Sequence, residues 1–191
     1  MKNCILTMTL LLSITVGFAQ DGVNNNDREG ITISGNLSAS EPGMLGVSME
    51  WENAFMNHKR NGSSLINISA TGLKYKDGPI NVDGTGFAIE LGRRTYFKKG
   101  TYSGFYSQSF LTYSSTSFNE NTPVGKFDGK YSYWSLINGD LGYKINIGKS
   151  FSIDPSIGFN WKWEVKGKGD VDNKQFDNFV FRAGIKAGYR F

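Results

Sequence analysis

"FVFRAGIKAGYRF", residues 179–191, alternates without a break. Phe179, Phe181, Ala183, Ile185, Ala187, Tyr189 and Phe191 stand against Arg182, Gly184, Lys186, Gly188 and Arg190. Successive side chains of a strand point to opposite faces, so this segment has one apolar face and one basic, glycine-rich face. A helical period of 3.6 residues cannot generate it. The two stretches before it repeat the pattern. Phe151, Ile153, Pro155, Ile157, Phe159, Trp161, Trp163 and Val165 alternate with Ser152, Asp154, Ser156, Gly158, Asn160, Lys162 and Glu164. From Tyr131 to Ile147, a face of Tyr131, Tyr133, Ile137, Leu141, Tyr143, Ile145 and Ile147 is set against Asn138, Asp140, Gly142, Lys144 and Asn146.

Working backwards, the alternation weakens but persists. Phe87, Ile89 and Leu91 make one short strand face, and Ile66, Ile68 and Ala70 another. Tyr102, Tyr106 and Phe110 share a face until Leu111 and Tyr113 take over, which predicts a bulge or two faces read as one. Leu45, Val47, Met49 and Trp51 alternate with Gly46, Ser48, Glu50 and Glu52, although a helix through Met44, Val47, Trp51 and Phe55 fits the same residues. Ile31, Ile33 and Leu37 form a first strand. The count is eight strands, an all-β chain.

The links between them differ in length. "GKS" (148–150) and "KKG" (98–100) are tight, whereas "KYKDGPINVDG" (74–84), "SSTSFNENTPVGKFDGK" (114–130) and "KGKGDVDNKQFD" (166–177) are long and polar. Alternating short and long links describe a closed antiparallel up-and-down barrel with short turns on one rim and loops on the other. "SASEPG" is short and "MNHKRNGS" long for that scheme. Alternation alone does not say which face is inside. A soluble lipocalin-like barrel turns its apolar face inward around a ligand, and a membrane barrel turns it outward to lipid. The apolar faces end in two aromatic bands, Tyr131, Tyr133, Trp161 and Trp163 toward the long links and Tyr143, Phe151, Tyr189 and Phe191 toward the short ones. Two bands are what the two interfaces of a bilayer select.

Composition points the same way. The 191 residues include 24 glycines and 14% aromatics, with only 20% charged residues. A net charge of +4 spread along the chain argues against a nucleic-acid binder, which concentrates its basic residues. Lys2, the apolar run Ile5 to Phe18, and the small residues Gly17 and Ala19 before Gln20 predict a cleaved signal peptide over 1–19. Residues 20–30 are polar and Asn/Gly-rich, which predicts a flexible segment before a barrel domain over 31–191. The one cysteine, Cys4, leaves with the leader, and disulfides, thiol catalysis and cysteine-held metals leave with it.

The last strand, with Tyr189 and Phe191 on one face, resembles the C-terminal signal of outer-membrane barrels, and the whole architecture is similar to the small eight-stranded family of Gram-negative bacteria typified by OmpX and the membrane domain of OmpA. The resemblance implies an outer-membrane location, with Tyr189 and Phe191 read by the barrel-assembly machinery. It implies membrane lipid and lipopolysaccharide as surroundings and a structural or surface-interaction role. A full outward apolar ring permits a monomer, since lipid satisfies every side.

With the polar face inward, the lumen receives Glu50, Glu52, Glu90, Asp140, Asp154 and Glu164 as acids and Arg94, Lys144, Lys162, Arg182, Lys186 and Arg190 as bases. So balanced a set predicts a packed ionic interior, because buried charges need partners and eight strands leave little free bore. A narrow channel would favour a lining of one sign. Lipid-modifying barrels use histidine with Ser, Asp or Glu partners. Here the one histidine, His58, lies in a turn beside Ser63 and Ser64, which predicts a solvated side chain and no enzyme. One histidine cannot build a multi-histidine metal site, and Asp170, Asp172, Asn173 and Asp177 lack the calcium-loop glycine at the sixth position. No cofactor or metal is expected. Lys74, Lys76, Lys126, Lys130, Lys166 and Lys168 fall in the long links, where solvation accounts for them and lipopolysaccharide phosphates are the alternative contact.

Overall fold

The computed structural model describes residues 30–52, 62–98 and 101–191, together with all of their side chains except that of Lys166. The leader, Cys4, most of the 20–30 segment and His58 lie outside the described residues. Eight strands form: β1 (Ile31–Ala39), β2 (Gly43–Glu52), β3 (Gly62–Asp77), β4 (Ile80–Tyr96), β5 (Gly104–Thr122), β6 (Gly125–Ile147), β7 (Phe151–Gly169) and β8 (Phe179–Arg190). Each pairs antiparallel with the next, and β8 closes on β1, so the sheet has no free edge. β2 is a strand throughout its span, which settles the helical alternative for those residues. Closure satisfies the backbone of every strand within the ring, the condition for crossing hydrocarbon with strands.

The faces sort by polarity. Outward stand Leu37, Leu45, Ile68, Ile89, Leu141, Ile157 (68% exposed) and Phe181 (78% exposed), while Glu50, Glu90, Arg94, Asp140, Lys144 and Arg182 are buried inside. A soluble barrel has the reverse arrangement, and an apolar ring this continuous faces lipid. Its borders are two aromatic girdles held by ring contacts. On one rim Phe87 meets Tyr113 at 6.1 Å and Tyr113 meets Trp134 at 4.7 Å, and Trp161 meets Phe179 at 6.3 Å. On the other, Phe105 meets Tyr143 at 4.7 Å, Phe151 meets Tyr189 at 5.1 Å, and Tyr189 meets Phe191 at 4.9 Å. At about 3.3 Å per residue and a tilt of about 40°, Phe151 to Trp163 climbs roughly 30 Å, the thickness of a hydrocarbon core.

β6 corrects the reading of Tyr131 and Tyr133. Gln108 faces Asp140 and Thr112 faces Ser135, so four steps on β5 span five on β6. Trp134 faces Trp163 and Ile137 faces Trp161, three steps on β6 against two on β7. One extra residue therefore sits at the Leu136–Ile137 step, where two consecutive side chains both face out. A one-residue slip inverts every side chain beyond it. Tyr131 (1% exposed) and Tyr133 (0%) consequently point inward, and Trp134 (45%) takes their place in the girdle.

Two further expectations change. The long links are mostly strand. β3 and β4 turn over at Gly78–Pro79 and β5 and β6 at Pro123–Val124, so these hairpins continue past the girdle with Lys74, Lys76, Asp83, Ser117 and Lys130 outward. Gly78 has φ 53°, the left-handed geometry that a tight turn asks of glycine. In β5 there is no change of face. Tyr106 and Phe110 point in and Phe105, Leu111 and Tyr113 out, while Tyr102 precedes the strand and packs its ring on Tyr96 at 5.7 Å. The β4–β5 link thus extends beyond "KKG", from Phe97 to Ser103.

Candidate functional site

The interior is the one place where chemistry-bearing residues converge among the described residues, and it has two tiers. The lower tier, toward the chain termini, is ionic. Arg94 of β4 is its hub. Its guanidinium donates to Gln108 Oε1 at 2.8 and 3.0 Å and pairs with Asp154 at 2.8 Å and Glu50 at 3.3 Å. It also lies over the Tyr106 ring at 3.7 Å, and Tyr106 in turn donates its hydroxyl to Asp154. Glu50 of β2 collects hydrogen bonds from Ser63 (2.5 Å), Tyr96 (2.7 Å) and Lys144 (3.0 Å). These residues meet because alternate positions on neighbouring strands point to one axis. Room for the large rings comes from glycine: a Cβ on Gly142 would meet the Tyr106 hydroxyl at 2.0 Å, and one on Gly92 the Phe110 ring at 2.2 Å.

A second network lies against the first. Arg182 of β8 donates to both oxygens of Glu90 at 2.8 and 3.4 Å and approaches Asp140 at 3.5 Å. Gln108 joins the networks by donating to Asp140 at 2.9 Å, and Asn67 and Thr112 complete the shell of Glu90. Lys186 is held by the oxygens of Ser48 (3.3 Å) and Asn67 (3.5 Å). At the lower rim Arg190 forks onto Glu52, its closest contact 2.5 Å, across the start of β1. Each of these carboxylates has a cation or donor against it, as burial demands.

The upper tier is aromatic. Tyr75, Phe118, Phe127, Tyr131 and Phe176 pack together with Leu73, Val82, Tyr133 and Val171 inside the extended hairpins. Phe176 comes from the β7–β8 link. It sits 4.1 Å from the Tyr131 ring and 5.8 Å from that of Tyr75, closing the outer mouth as a stopper. The link is shaped for this by one turn of 3-10 helix at Asn173–Gln175, capped by Asp172, which accepts from the Lys174 N–H. Asp170 accepts from the Asp128 N–H at 2.9 Å, tying the link to β6. Asp170 and Asp172, two of the oxygen ligands singled out in this segment, thus hold the link itself. Nothing in the alternation of β7 announced Phe176, which lies in irregular chain.

Lys162 lies between the tiers, its ammonium 5.6 and 5.7 Å from the Tyr131 and Tyr133 rings and 3.9 Å from Glu41. Partial burial pushes the Glu41 carboxyl above its ordinary value, with Lys162 pulling the other way. Glu164 accepts from Tyr131 at 2.6 Å. Tyr189 and Phe191 stand on the lower girdle, and the Phe191 N–H donates to the Ile31 carbonyl at 2.9 Å. Ser63 belongs to the ionic tier and Ser64 faces outward; the two do not share a face.

The sequence matches no protein-family model and no curated protein. Solved structures do resemble the chain. A major outer membrane protein of Thermus thermophilus superposes with a TM-score of 0.60 at 11% identity, over 86% of this chain and 100% of that one. OprG of Pseudomonas aeruginosa gives 0.49 at 12% identity, over 88% and 99% of the two chains. Ail of Yersinia pestis gives 0.48 at 15% identity, over 85% and 97%. At such identities the shared property is the fold, and the Thermus protein carries that comparison. Together with the closed ring and its apolar exterior, it assigns this chain the fold of the small eight-stranded outer-membrane barrels.

Proposed function

We propose that this chain is a non-catalytic, non-conducting outer-membrane barrel that holds a rigid sheet above the membrane for contact at the cell surface. The observation that carries this reading is the filled interior: an ionic tier centred on Arg94 and an aromatic stopper centred on Phe176 lie in series along one axis. A conducting pore needs a continuous hydrated path with groups that release the ion, and paired charges below packed rings oppose both requirements. What remains for function is the upper surface. β3 to β7 run past the girdle as paired strands, which costs a partner less ordering entropy than a set of loose loops would.

The surroundings follow from that placement. Lys74, Lys76, Lys130 and Lys168 are exposed just above the girdle, at the height of lipopolysaccharide phosphates, and act there as point charges. Tyr189 and Phe191, on the outward face of the closing strand, are the residues we assign to recognition by the assembly machinery. Planar-bilayer recording of the purified protein tests the central point. Neither the wild type nor Phe176→Ala opens discrete conductance levels, because the ionic tier remains below the stopper. Steady single-channel steps in the wild type would replace the scaffold reading with a channel.

A further inference from the structure

The lipid-facing surface has a polar patch with Arg93 at its centre. Arg93 is the one charged side chain on the outward face between the girdles among the described residues, and no hydrogen bond or ion pair of its guanidinium is formed within them. On β3 it is flanked by Ser64 and on β5 by Ser109, in direct register, with Thr95 and Ser107 one step lower. Elsewhere in the ring these positions mostly hold Leu, Ile, Phe or Trp. The small serines leave a dent, and Trp51, Ile66, Leu91, Leu111 and Leu136 wall it as an open apolar groove.

Depth decides what could fill it. Arg93 is four residues above Phe97, about 10 Å at the rise and tilt used above. An arginine at that depth snorkels, with its stem along the apolar walls and its charged head carried toward the lower interface. A guanidinium there, at the level of Thr95 and Ser107 and beneath the apolar groove, matches one chemical class. Its fork of N–H groups donates to two oxygens of a phosphate diester, and the groove takes the chain attached to it. We propose that Arg93 is the centre of a specific site for the phosphate of one glycerophospholipid in the leaflet nearer the chain termini, with the dent beside Ser109 taking the acyl chain. The inference rests on the membrane placement proposed above.

The test compares wild type, Arg93→Gln, Arg93→Lys and Ser109→Leu in non-ionic detergent. Phosphatidylglycerol is titrated in and bound lipid is read by native mass spectrometry. Each variant is first checked for a folded band that shifts on boiling. The expected result is one tightly held lipid in the wild type and about tenfold weaker binding in Arg93→Gln. Arg93→Lys falls between, as a charge without the fork, and Ser109→Leu, which fills the dent, also loses the lipid. Equal lipid retention by the folded variants would overturn the site. So would a wild-type dimer that Arg93→Gln dissolves, which would make a second copy the occupant. An Arg93-dependent adduct with inorganic phosphate alone would make it a free-anion site and remove the lipid. A wild type that never enters membranes would instead sink the placement, and the lipid site with it.

Discussion

Arg94 and Arg93 are neighbours in sequence and opposites in environment, since a strand sends one into the ionic tier and the other to lipid. The inward one is structurally expensive to lose. Arg94→Met would leave Glu50 and Asp154 buried without the guanidinium between them, a cost of about 3–5 kcal/mol. Urea unfolding in micelles should show that loss, while the exposed Glu120→Ala stays within about 0.5 kcal/mol of wild type. A wild-type midpoint in Arg94→Met would mean the network holds nothing. Much of this tier was legible in the sequence, because the alternation of β4, β7 and β8 assigns Glu90, Arg94, Asp154 and Arg182 to one face before any partner is known. The partnerships were not legible. Arg94 and Asp154 lie on strands far apart in the chain, and only closure of the ring brings them to 2.8 Å.

At the scale of the strand, β6 carries the most consequential irregularity. Its extra residue keeps Tyr131 and Tyr133 in the stopper while Leu141, Tyr143 and Ile145 face lipid. Deleting Leu136 would force one half of the strand to invert, turning either the tyrosines outward or Asp140 and Lys144 into hydrocarbon. We expect no heat-modifiable band from this deletion, whereas Leu136→Ala, which keeps the residue count, folds. Normal folding of the deletion would mean that the register is not fixed by the bulge. The sequence hides this feature for a physical reason. "YSYWSLING" is apolar on both sides of the slip, and one inserted residue has no composition of its own. The hairpin extensions were hidden for another reason: above the girdle the alternation inverts, with Leu73, Tyr75, Val82, Phe118 and Phe127 inward and Lys74, Lys76 and Asp83 outward, so charged residues and turn residues masked a short apolar face.

For the whole molecule, apolar outside and ionic inside is one statement about solvent. The last strand and the eight-strand count were readable from period two, and the ring from the link lengths, whereas the girdle toward the long links was misread at Tyr131 and Tyr133. The stopper was not readable, because Phe176 sits in irregular chain and packs on rings from β3, β5 and β6. The most direct measurement is gel mobility of outer-membrane fractions with and without boiling. The protein should be recovered in those fractions, with an unboiled band that migrates as a compact folded barrel and shifts on heating. Recovery in the soluble fraction, with a single unshifted band, would contradict the membrane barrel.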